Sequence, residues 1–246
     1  MGAFVILVLG DAGTGKSTSI GRVDGLGIKG VNPDESVLIK CRDKALPFPS
    51  GFTMFKGTYG KGGNLAVTDD TEIVRQLLLL TGKDPKVRNV IVDDLNYLMT
   101  NAYMREKNTN PFKRYDKIGD QMHELLTSDS LMRPDQRLIL MSHSELGEDG
   151  RYKMMTLGKF LNEREKIPGL YTFTLFTKEV IDPETGRFVF KFVTGMDADD
   201  NGNRIPARTP YGMFEDLYIP NDMGYVLEKI DAYYEKFNPK DGGNAQ

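Results

Sequence analysis

Short continuous apolar runs recur along the chain, and each is closed by a glycine or by polar residues. Four runs have this form: residues 3–9 (AFVILVL), 36–41 (SVLIKC), 89–94 (NVIVDD) and 137–145 (RLILMSHSE). Uninterrupted apolar sequence is typical of parallel strands that are covered on both faces by helices. The pattern therefore predicts a largely parallel sheet, several of whose strands end in polar residues.

Apolar residues at helical spacing predict helices between these strands. One helix is predicted from Asp69, because Asp69 and Glu72 have the spacing of a capping box, and it is expected to end at Gly82. The apolar face predicted for this helix contains Ile73, Leu77 and Leu80. Further helices are predicted at residues 95–107, around 118–126 and at 222–236. One more is predicted to begin near Lys16 and to be broken soon afterwards by the glycines at 21, 25, 27 and 30.

Two later segments alternate between apolar and polar residues instead. Residues 171–180 (YTFTLFTKEV) and 187–194 (RFVFKFVT) are separated by the turn sequence DPETG, which predicts an antiparallel hairpin. The order of elements predicts an α/β domain over residues 1–236, with helices on both faces of the sheet and an antiparallel extension near its C-terminal end. Residues 237–246 are predicted to form a flexible tail.

Composition and charge narrow the class of protein. The net charge is -3 and the pI is about 5.6, which argues against a protein that coats nucleic acid through overall positive charge and leaves room for a local basic surface. The single Cys41 and the two histidines, His123 and His143, do not supply a zinc cluster. Without a charged leader or a run of about 18 apolar residues, the chain is expected to be soluble, cytoplasmic and free of membrane contact.

A complete phosphate-binding motif follows the first predicted strand. Residues 10–17 read GDAGTGKS, which matches the P-loop pattern in its expected place between a strand and a helix. The residues predicted to hold a nucleoside triphosphate are Gly10, Asp11, Ala12, Gly13, Thr14, Gly15, Lys16, Ser17 and Thr18. Lys16 is predicted to reach the β- and γ-phosphates, and the Ser17 hydroxyl to bind Mg²⁺.

The strand at residues 89–94 ends in two acids, an arrangement typical of a Walker B motif. Asp93 is predicted to contact Mg²⁺, and Asp94 to act as general base or to orient the attacking water. An alternative role for Asp94 is to cap the helix that follows it. Ser17 and Asp93 together are therefore the predicted metal ligands.

A third strand end, Ser142 to Glu145, carries a histidine. A polar side chain at this place could contact the γ-phosphate and respond to its presence, and His143 is the candidate for this role. The alternative is a histidine that only packs at the end of a strand. His123, in a helical pattern, is assigned no role.

Four stretches together resemble RecA-like P-loop ATPases, and more narrowly the compact phage-encoded ATPases of that group, some of which are single-strand annealing recombination proteins. These stretches are GDAGTGKST, VIVDDLNYL, LILMSHSE and RIPARTPYGMFEDLYIPND. The resemblance implies a RecA-like fold, binding and hydrolysis of ATP with Mg²⁺, and assembly into rings or filaments. It also implies single-stranded DNA as a partner, and a single-strand DNA-binding protein as a further expected one.

The chain departs from that family in one respect. RecA-like ATPases usually carry a catalytic glutamate after the second strand, whereas the segment CRDKALPF has Asp43 and no glutamate there. Either Asp94 has taken over as base, or turnover is slow.

The resemblance also places DNA-binding loops after the Walker B element and after the next strand. The candidates in the first loop are Arg105, Lys107, Phe112, Lys113 and Arg114, and those in the second are Arg151 and Lys153. Basic groups could follow the phosphodiester backbone there while aromatic rings stack on bases. Arg204 and Arg208 are candidates for an arginine finger that enters a neighbouring subunit's ATP site.

The leading hypothesis is thus a self-associating ATPase that handles single-stranded DNA. One alternative is a small-molecule or nucleotide kinase that uses the same phosphate loop. Another is a nucleotide-dependent interaction switch that hydrolyses very little.

Overall fold

The computed structural model describes residues 3–56, 62–106, 110–157, 161 and 166–237, apart from the side chains at 111, 112 and 237. Its strands are β1 Phe4–Gly10, β2 Ser36–Lys40, β3 Leu65–Val67, β4 Asn89–Asp93, β5 Arg137–Leu146, β6 Tyr152–Met154, β7 Phe173–Ile181, β8 Phe188–Val193, β9 Asp197–Ala198, β10 Arg204–Ile205 and β11 Tyr218–Pro220. Its α-helices are α1 Thr71–Lys83, α2 Asn96–Arg105, α3 Pro111–Leu126 and α4 Met223–Phe237.

One large sheet organises the described chain, in the strand order β11-β8-β7-β1-β5-β4-β2-β3. Neighbouring strands from β7 to β3 run parallel, whereas β8 is antiparallel to β7 and β11 is antiparallel to β8. Strand β6 pairs antiparallel with the end of β5, and β9 pairs with β10 in a separate small sheet. These pairings confirm the predicted α/β architecture, with its largely parallel sheet and antiparallel hairpin.

Both faces of the sheet are covered, as the continuous apolar strands predict. On β1, Leu7 and Leu9 point into the core that contains helices α1, α2 and α3, while Ile6 and Val8 point into the core that contains α4. All four side chains are fully buried. Because both faces are closed, the carboxyl ends of the strands are the places where polar side chains can reach a ligand.

The helix predicted to begin near Lys16 is short, and it ends at the first of the glycines predicted to break it. Only a single 3₁₀ turn, Ser17–Ile20, follows Lys16. Gly21 ends it in an extended conformation, and the space beside Gly21 is filled by the ring of Phe48. A four-residue turn has little macrodipole, so the loop's own N–H groups and Lys16 must provide most of the attraction for an anion.

The prediction for α1 is wrong in its cap and in its buried face. Asp70, not Asp69, caps the helix, since its carboxylate accepts hydrogen bonds from the N–H groups of Glu72 (2.9 Å) and Ile73 (3.4 Å). The predicted face is also misplaced, because Ile73 and Leu80 are exposed. The buried positions are Thr71, Val74, Leu78, Thr81 and Gly82.

The remaining predicted elements agree with the structure within a few residues. The buried face predicted for α3 is confirmed, since Ile118, Met122, Leu125 and Leu126 are all at most 3% exposed. Helix α4 extends to Phe237, and residues 238–246, most of the predicted tail, lie outside the described residues. Within the part of the chain that the structure describes, no helix has the length and apolar character needed to cross a membrane.

Candidate functional site

The phosphate loop runs from the end of β1 to the 3₁₀ turn at Ser17. Gly13 and Gly15 have φ angles of 82° and 88°, a region that residues with a Cβ rarely adopt. A Cβ on Gly15 would also lie 2.6 Å from Nδ2 of Asn221 and 2.8 Å from the ring of Phe190. The loop therefore requires glycine at this position for its conformation and for its close packing against the hairpin.

Three contacts fix this loop to the elements around it. Asn221 Nδ2 donates to the Gly15 carbonyl at 2.9 Å, and Ser144 Oγ donates to Asp11 Oδ1 at 2.9 Å. On the other side, the hydroxyls of Thr14 and Thr177 are 2.5 Å apart. The loop is thus held by β5, by β7 and by the segment before α4, which limits its movement when a ligand binds.

Lys16 lies folded back across the loop. Its ammonium donates to the carbonyl oxygens of Gly10 (2.7 Å) and Asp11 (2.6 Å), and the residue is only 7% exposed. Burial lowers the pKa of Lys16 to about 8, against the opposing effect of the nearby Asp93 and Asp94 carboxylates. The ammonium is already at the phosphate loop, and a phosphate could replace the two carbonyl acceptors.

Ser17 and Asp93 meet as the motif predicts. Ser17 Oγ donates to Asp93 Oδ2 at 2.7 Å, and Asp93 Oδ1 accepts from the N–H of Asp94 at 3.0 Å. Asp93 is 1% exposed; burial is the largest effect on its carboxyl and raises its pKa, and the Asp94 charge acts in the same direction.

A hydroxyl and a carboxylate are oxygen ligands suited to Mg²⁺, which usually keeps several waters and takes further ligands from substrate phosphates. No group of three or more His, Cys, Asp and Glu side chains in the described part of the chain has the geometry of a metal site. Ser17 and Asp93 could supply two oxygen ligands to such an ion.

Asp94 has an unusual backbone and an unexpected partner. It is the one non-glycine residue with positive φ (61°) in the described chain, and it is 4% exposed. Its Oδ2 is 2.6 Å from Nζ of Lys44, and its Oδ1 is 3.7 Å from Nε2 of His143. The alternative role as a helix cap is not observed, because no side chain caps the N-terminus of α2.

Lys44 is a residue of this candidate site that the sequence patterns did not reveal. It lies in the segment after β2 where a catalytic glutamate is expected from the family resemblance, and its side chain is 42% exposed. A surface lysine in a loop carries no motif of its own, so only the fold brings it to the phosphate site.

His143 lies at the end of β5, between the phosphate loop and Asp94. Burial lowers the pKa of His143, and the neighbouring Lys16 charge lowers it further, while Asp94 opposes both. The ring of Tyr97 packs edge-on against the imidazole, with 6.1 Å between the ring centres. The depressed pKa favours the neutral form of His143, which can both donate and accept a hydrogen bond.

A cavity of about 340 Å³ connects these groups. It is lined by Gly13, Gly15, Lys16, Ser17, Thr18, Lys44, Ala45, Pro47, Asp94 and His143. Five of the nine residues predicted to hold the nucleotide therefore line one cavity together with Asp94 and His143, whereas Gly10, Asp11, Ala12 and Thr14 do not line it. Asp93 lies just beneath it, through its bond to Ser17.

The residues predicted for the first DNA loop are less favourably placed. Arg105 forms an ion pair with Asp69 at 2.8 Å, and Lys113 is exposed on α3. The prediction for Arg114 does not fit the structure, because this residue is 6% exposed and its guanidinium stacks 4.5 Å from the Tyr103 ring centre. Lys107 and the side chain of Phe112 lie outside the described residues.

The residues predicted for the second DNA loop and for the arginine finger come together in a different cavity. This basic cavity, of about 380 Å³, is lined by Asp149, Arg151, Tyr152, Lys153, Lys166, Ile167, Pro168, Gly169, Met196, Arg204, Ile205, Pro206 and Arg208. None of its cationic residues lines the cavity of about 340 Å³ next to Lys16. Two groups of residues that the sequence assigned to separate roles therefore share one surface.

A scan against protein-family models finds none that matches this chain, and a search of curated proteins finds no relative. The resemblance to RecA-like ATPases remains a prediction from the motifs.

We expect nucleotide binding to take up protons at alkaline pH. The free protein loses the Lys16 proton around pH 8, whereas a bound polyphosphate next to the ammonium would raise the pKa of Lys16. Above about pH 8, affinity should thus fall with rising pH, and each binding event should take up as much as one proton. Titration calorimetry in two buffers of different ionisation enthalpy measures this uptake, and identical heats at pH 9 would contradict it.

Proposed function

We propose that this chain is a Mg²⁺-dependent P-loop ATPase that handles single-stranded DNA and assembles with copies of itself. The observation that carries the ATPase part is the short bond between Ser17 and Asp93 beside a buried Lys16. A serine, a carboxylate and a lysine in this relation, under a glycine loop with positive φ angles, form a triphosphate and Mg²⁺ site.

Each residue has a distinct task in the proposed reaction. Lys16 would give up its carbonyl acceptors and bind the β- and γ-phosphate oxygens, while Ser17 and Asp93 would hold the metal. The Mg²⁺ ion would neutralise charge that develops on the phosphates. Asp94, from the opposite wall, would orient or deprotonate the attacking water.

Lys44 and His143 would complete the site. The Lys44 ammonium is paired with Asp94, which keeps the buried carboxylate from being left without a counter-charge. A γ-phosphate in the cavity would offer Lys44 a second anion and would free Asp94 to contact water. His143, held between Asp94 and the loop, is suited to donate to the same phosphate.

The DNA-handling part is supported by the basic cavity beside β6, a local positive surface on a protein of net charge -3. Self-assembly follows from the family resemblance alone. A kinase would need a second substrate site that accepts phosphate, and a switch would bind the nucleotide with almost no turnover.

Steady-state ATP hydrolysis, measured with and without single-stranded DNA over a series of protein concentrations, tests this proposal. We expect DNA to stimulate turnover several-fold, and turnover per subunit to rise with protein concentration. Transfer of the γ-phosphate to an added nucleoside or nucleotide would instead favour the kinase. Assembly that requires ATP but not hydrolysis, with no response to DNA, would favour the switch.

A further inference from the structure

The basic cavity gathers five cationic side chains from separate segments of the chain. Arg151 and Lys153 come from the region of β6, Lys166 from the segment before β7, and Arg204 and Arg208 from the segment that begins with β10. Asp149 is the one acidic residue among the described lining residues. Such an excess of positive charge around a concave surface attracts an anionic ligand.

The backbone holds the two arginines of residues 204–208 in a defined orientation. Burial alternates along this segment: Ile205 and Ala207 are buried, while Arg204 and Arg208 are exposed. The Arg204 N–H donates to the Gly150 carbonyl at 2.8 Å, and Arg208 exchanges two backbone hydrogen bonds with Thr174. Four extended residues span roughly 13 Å, so both guanidinium groups can contact one extended polyanion.

Some of the cationic side chains of this cavity lie close to an acidic residue, and others do not. Arg151 Nε lies 3.9 Å from Asp149 Oδ2, and Lys153 Nζ lies 3.7 Å from Glu145 Oε1. Arg204 and Arg208 form no ion pair with any acidic residue that the structure describes. An exposed, unpaired arginine is the group best suited to bind phosphate, because its planar fork can donate two parallel hydrogen bonds.

Apolar groups lie next to the charges. Ile167 and Ile205 are buried beneath the cavity, while Met196 at its edge is 75% exposed. A thioether and a proline, Pro206, offer a face against which a planar base can pack. A volume of about 380 Å³ is at the lower end of the range for small organic ligands, so it is too small for a helix or a duplex.

We propose that the basic cavity binds single-stranded DNA, with Arg204 and Arg208 on backbone phosphates of the same strand and a base packed beside Met196. This inference rests on the proposed function, which it deepens by naming the surface that contacts the strand. It also gives Arg204 and Arg208 a different role from the one predicted from the sequence. They contact DNA together with Arg151 and Lys153, instead of entering a neighbour's ATP site as arginine fingers.

The cavity is joined to the phosphate site through one pair of strands. Strand β6 pairs with the end of β5, and the N–H of Met155 donates to the carbonyl of His143 at 2.8 Å. Ser144, also on β5, contacts Asp11 of the phosphate loop. Single-stranded DNA bound next to β6 would therefore contact a segment that is hydrogen-bonded to the backbone of His143.

The test is the affinity of the full chain for a fluorescently labelled oligothymidylate, measured by anisotropy at several salt concentrations and without nucleotide. The variants are Arg204→Gln, Arg208→Gln and the double variant, with Arg187→Gln at the exposed hairpin turn as a control of equal charge. We expect about tenfold weaker binding for each single variant and about 100-fold for the double variant. The slope of log affinity against log salt should flatten by about 0.7 for each arginine removed.

The conservative variant Arg208→Lys should recover part of the affinity, because it retains the charge. Unlabelled oligothymidylate should compete far better than dTMP or inorganic phosphate at equal phosphate concentration. Equal competition by free phosphate would overturn the proposal, since the cavity would then bind any anion.

Other outcomes separate this proposal from the proposed function. If the wild-type protein hydrolyses ATP and binds DNA, but the arginine variants bind DNA as wild type does, the cavity is not the DNA site and the ATPase proposal stands. If the variants instead lose ATP turnover or assembly at unchanged DNA affinity, Arg204 and Arg208 act between subunits, and this inference is wrong.

Discussion

Replacing Lys16 by alanine is expected to lower ATP turnover by about 1,000-fold, the loss typical for a cation that stabilises charge on a transferring phosphoryl group. Lys16 is the only cation whose ammonium is seen within hydrogen-bonding distance of the phosphate loop in the described chain. Without it, the loop would contact the phosphates through its N–H groups only, and the proposed Mg²⁺ ion and Lys44 would be the remaining cations of the site. Turnover is measured in the purified variant under saturating ATP and Mg²⁺.

The same variant should keep its fold. The ammonium is buried at the cost of its hydration, so its removal relieves a penalty, although two carbonyl oxygens lose a donor. We therefore expect little change in the thermal midpoint of the free protein. The stabilisation by a non-hydrolysable ATP analogue, about 2.7 kcal/mol at 100 times the dissociation constant for the wild type, should vanish.

Lys29→Ala is the matched control, because Lys29 is exposed and its ammonium contacts only Glu228 at 3.3 Å among the described residues. This variant should hydrolyse ATP as the wild type does. Turnover that survives in Lys16→Ala, or that falls equally in Lys29→Ala, would remove the phosphate loop from the proposed mechanism.

The parts of this protein that the sequence predicts well are those encoded by neighbouring residues. The strand 89–94 with its terminal acids is one continuous stretch of sequence, and the P-loop is another. Parallel strands bring their carboxyl ends to one edge of the sheet. The meeting of Ser17 with Asp93 follows from that rule. It could be predicted without any knowledge of the loops.

Helix α1 shows where periodicity is not sufficient. Its sequence contains four consecutive leucines, Leu77 to Leu80, so apolar side chains occur on every face. The pattern then cannot decide which face is buried, and packing against the rest of the core selects Val74 and Leu78 over Ile73 and Leu80. The cap cannot be decided from the sequence either, because two adjacent acids, Asp69 and Asp70, precede the helix.

Contacts between distant loops could not be predicted at all. Lys44 and Asp94 are brought together by the pairing of β2 with β4, and the basic cavity is assembled from segments around residues 151, 166 and 204–208. No spacing in the sequence encodes such meetings, because they depend on the direction that each loop takes after its strand.

The Asp94→Asn substitution should lower the rate of hydrolysis by about 100- to 1,000-fold while nucleotide affinity changes little. Asparagine matches aspartate in size and tolerates the positive φ of 61° at this position, so the backbone should be retained. The amide cannot accept a proton from water, which removes the proposed base. Single-turnover hydrolysis and the dissociation constant of a non-hydrolysable analogue separate the two effects.

Lys44→Met distinguishes the loss of the carboxylate from the loss of its ion pair. Methionine retains the apolar stem but breaks the 2.6 Å contact with Asp94, and the carboxylate remains in place. If Asp94 acts on water, Lys44→Met should weaken nucleotide binding by about tenfold, the value of one charge contact, and should leave the chemical step faster than in Asp94→Asn. Equal losses of the chemical step in both variants would mean that Asp94 serves only to position Lys44, and that the base lies elsewhere.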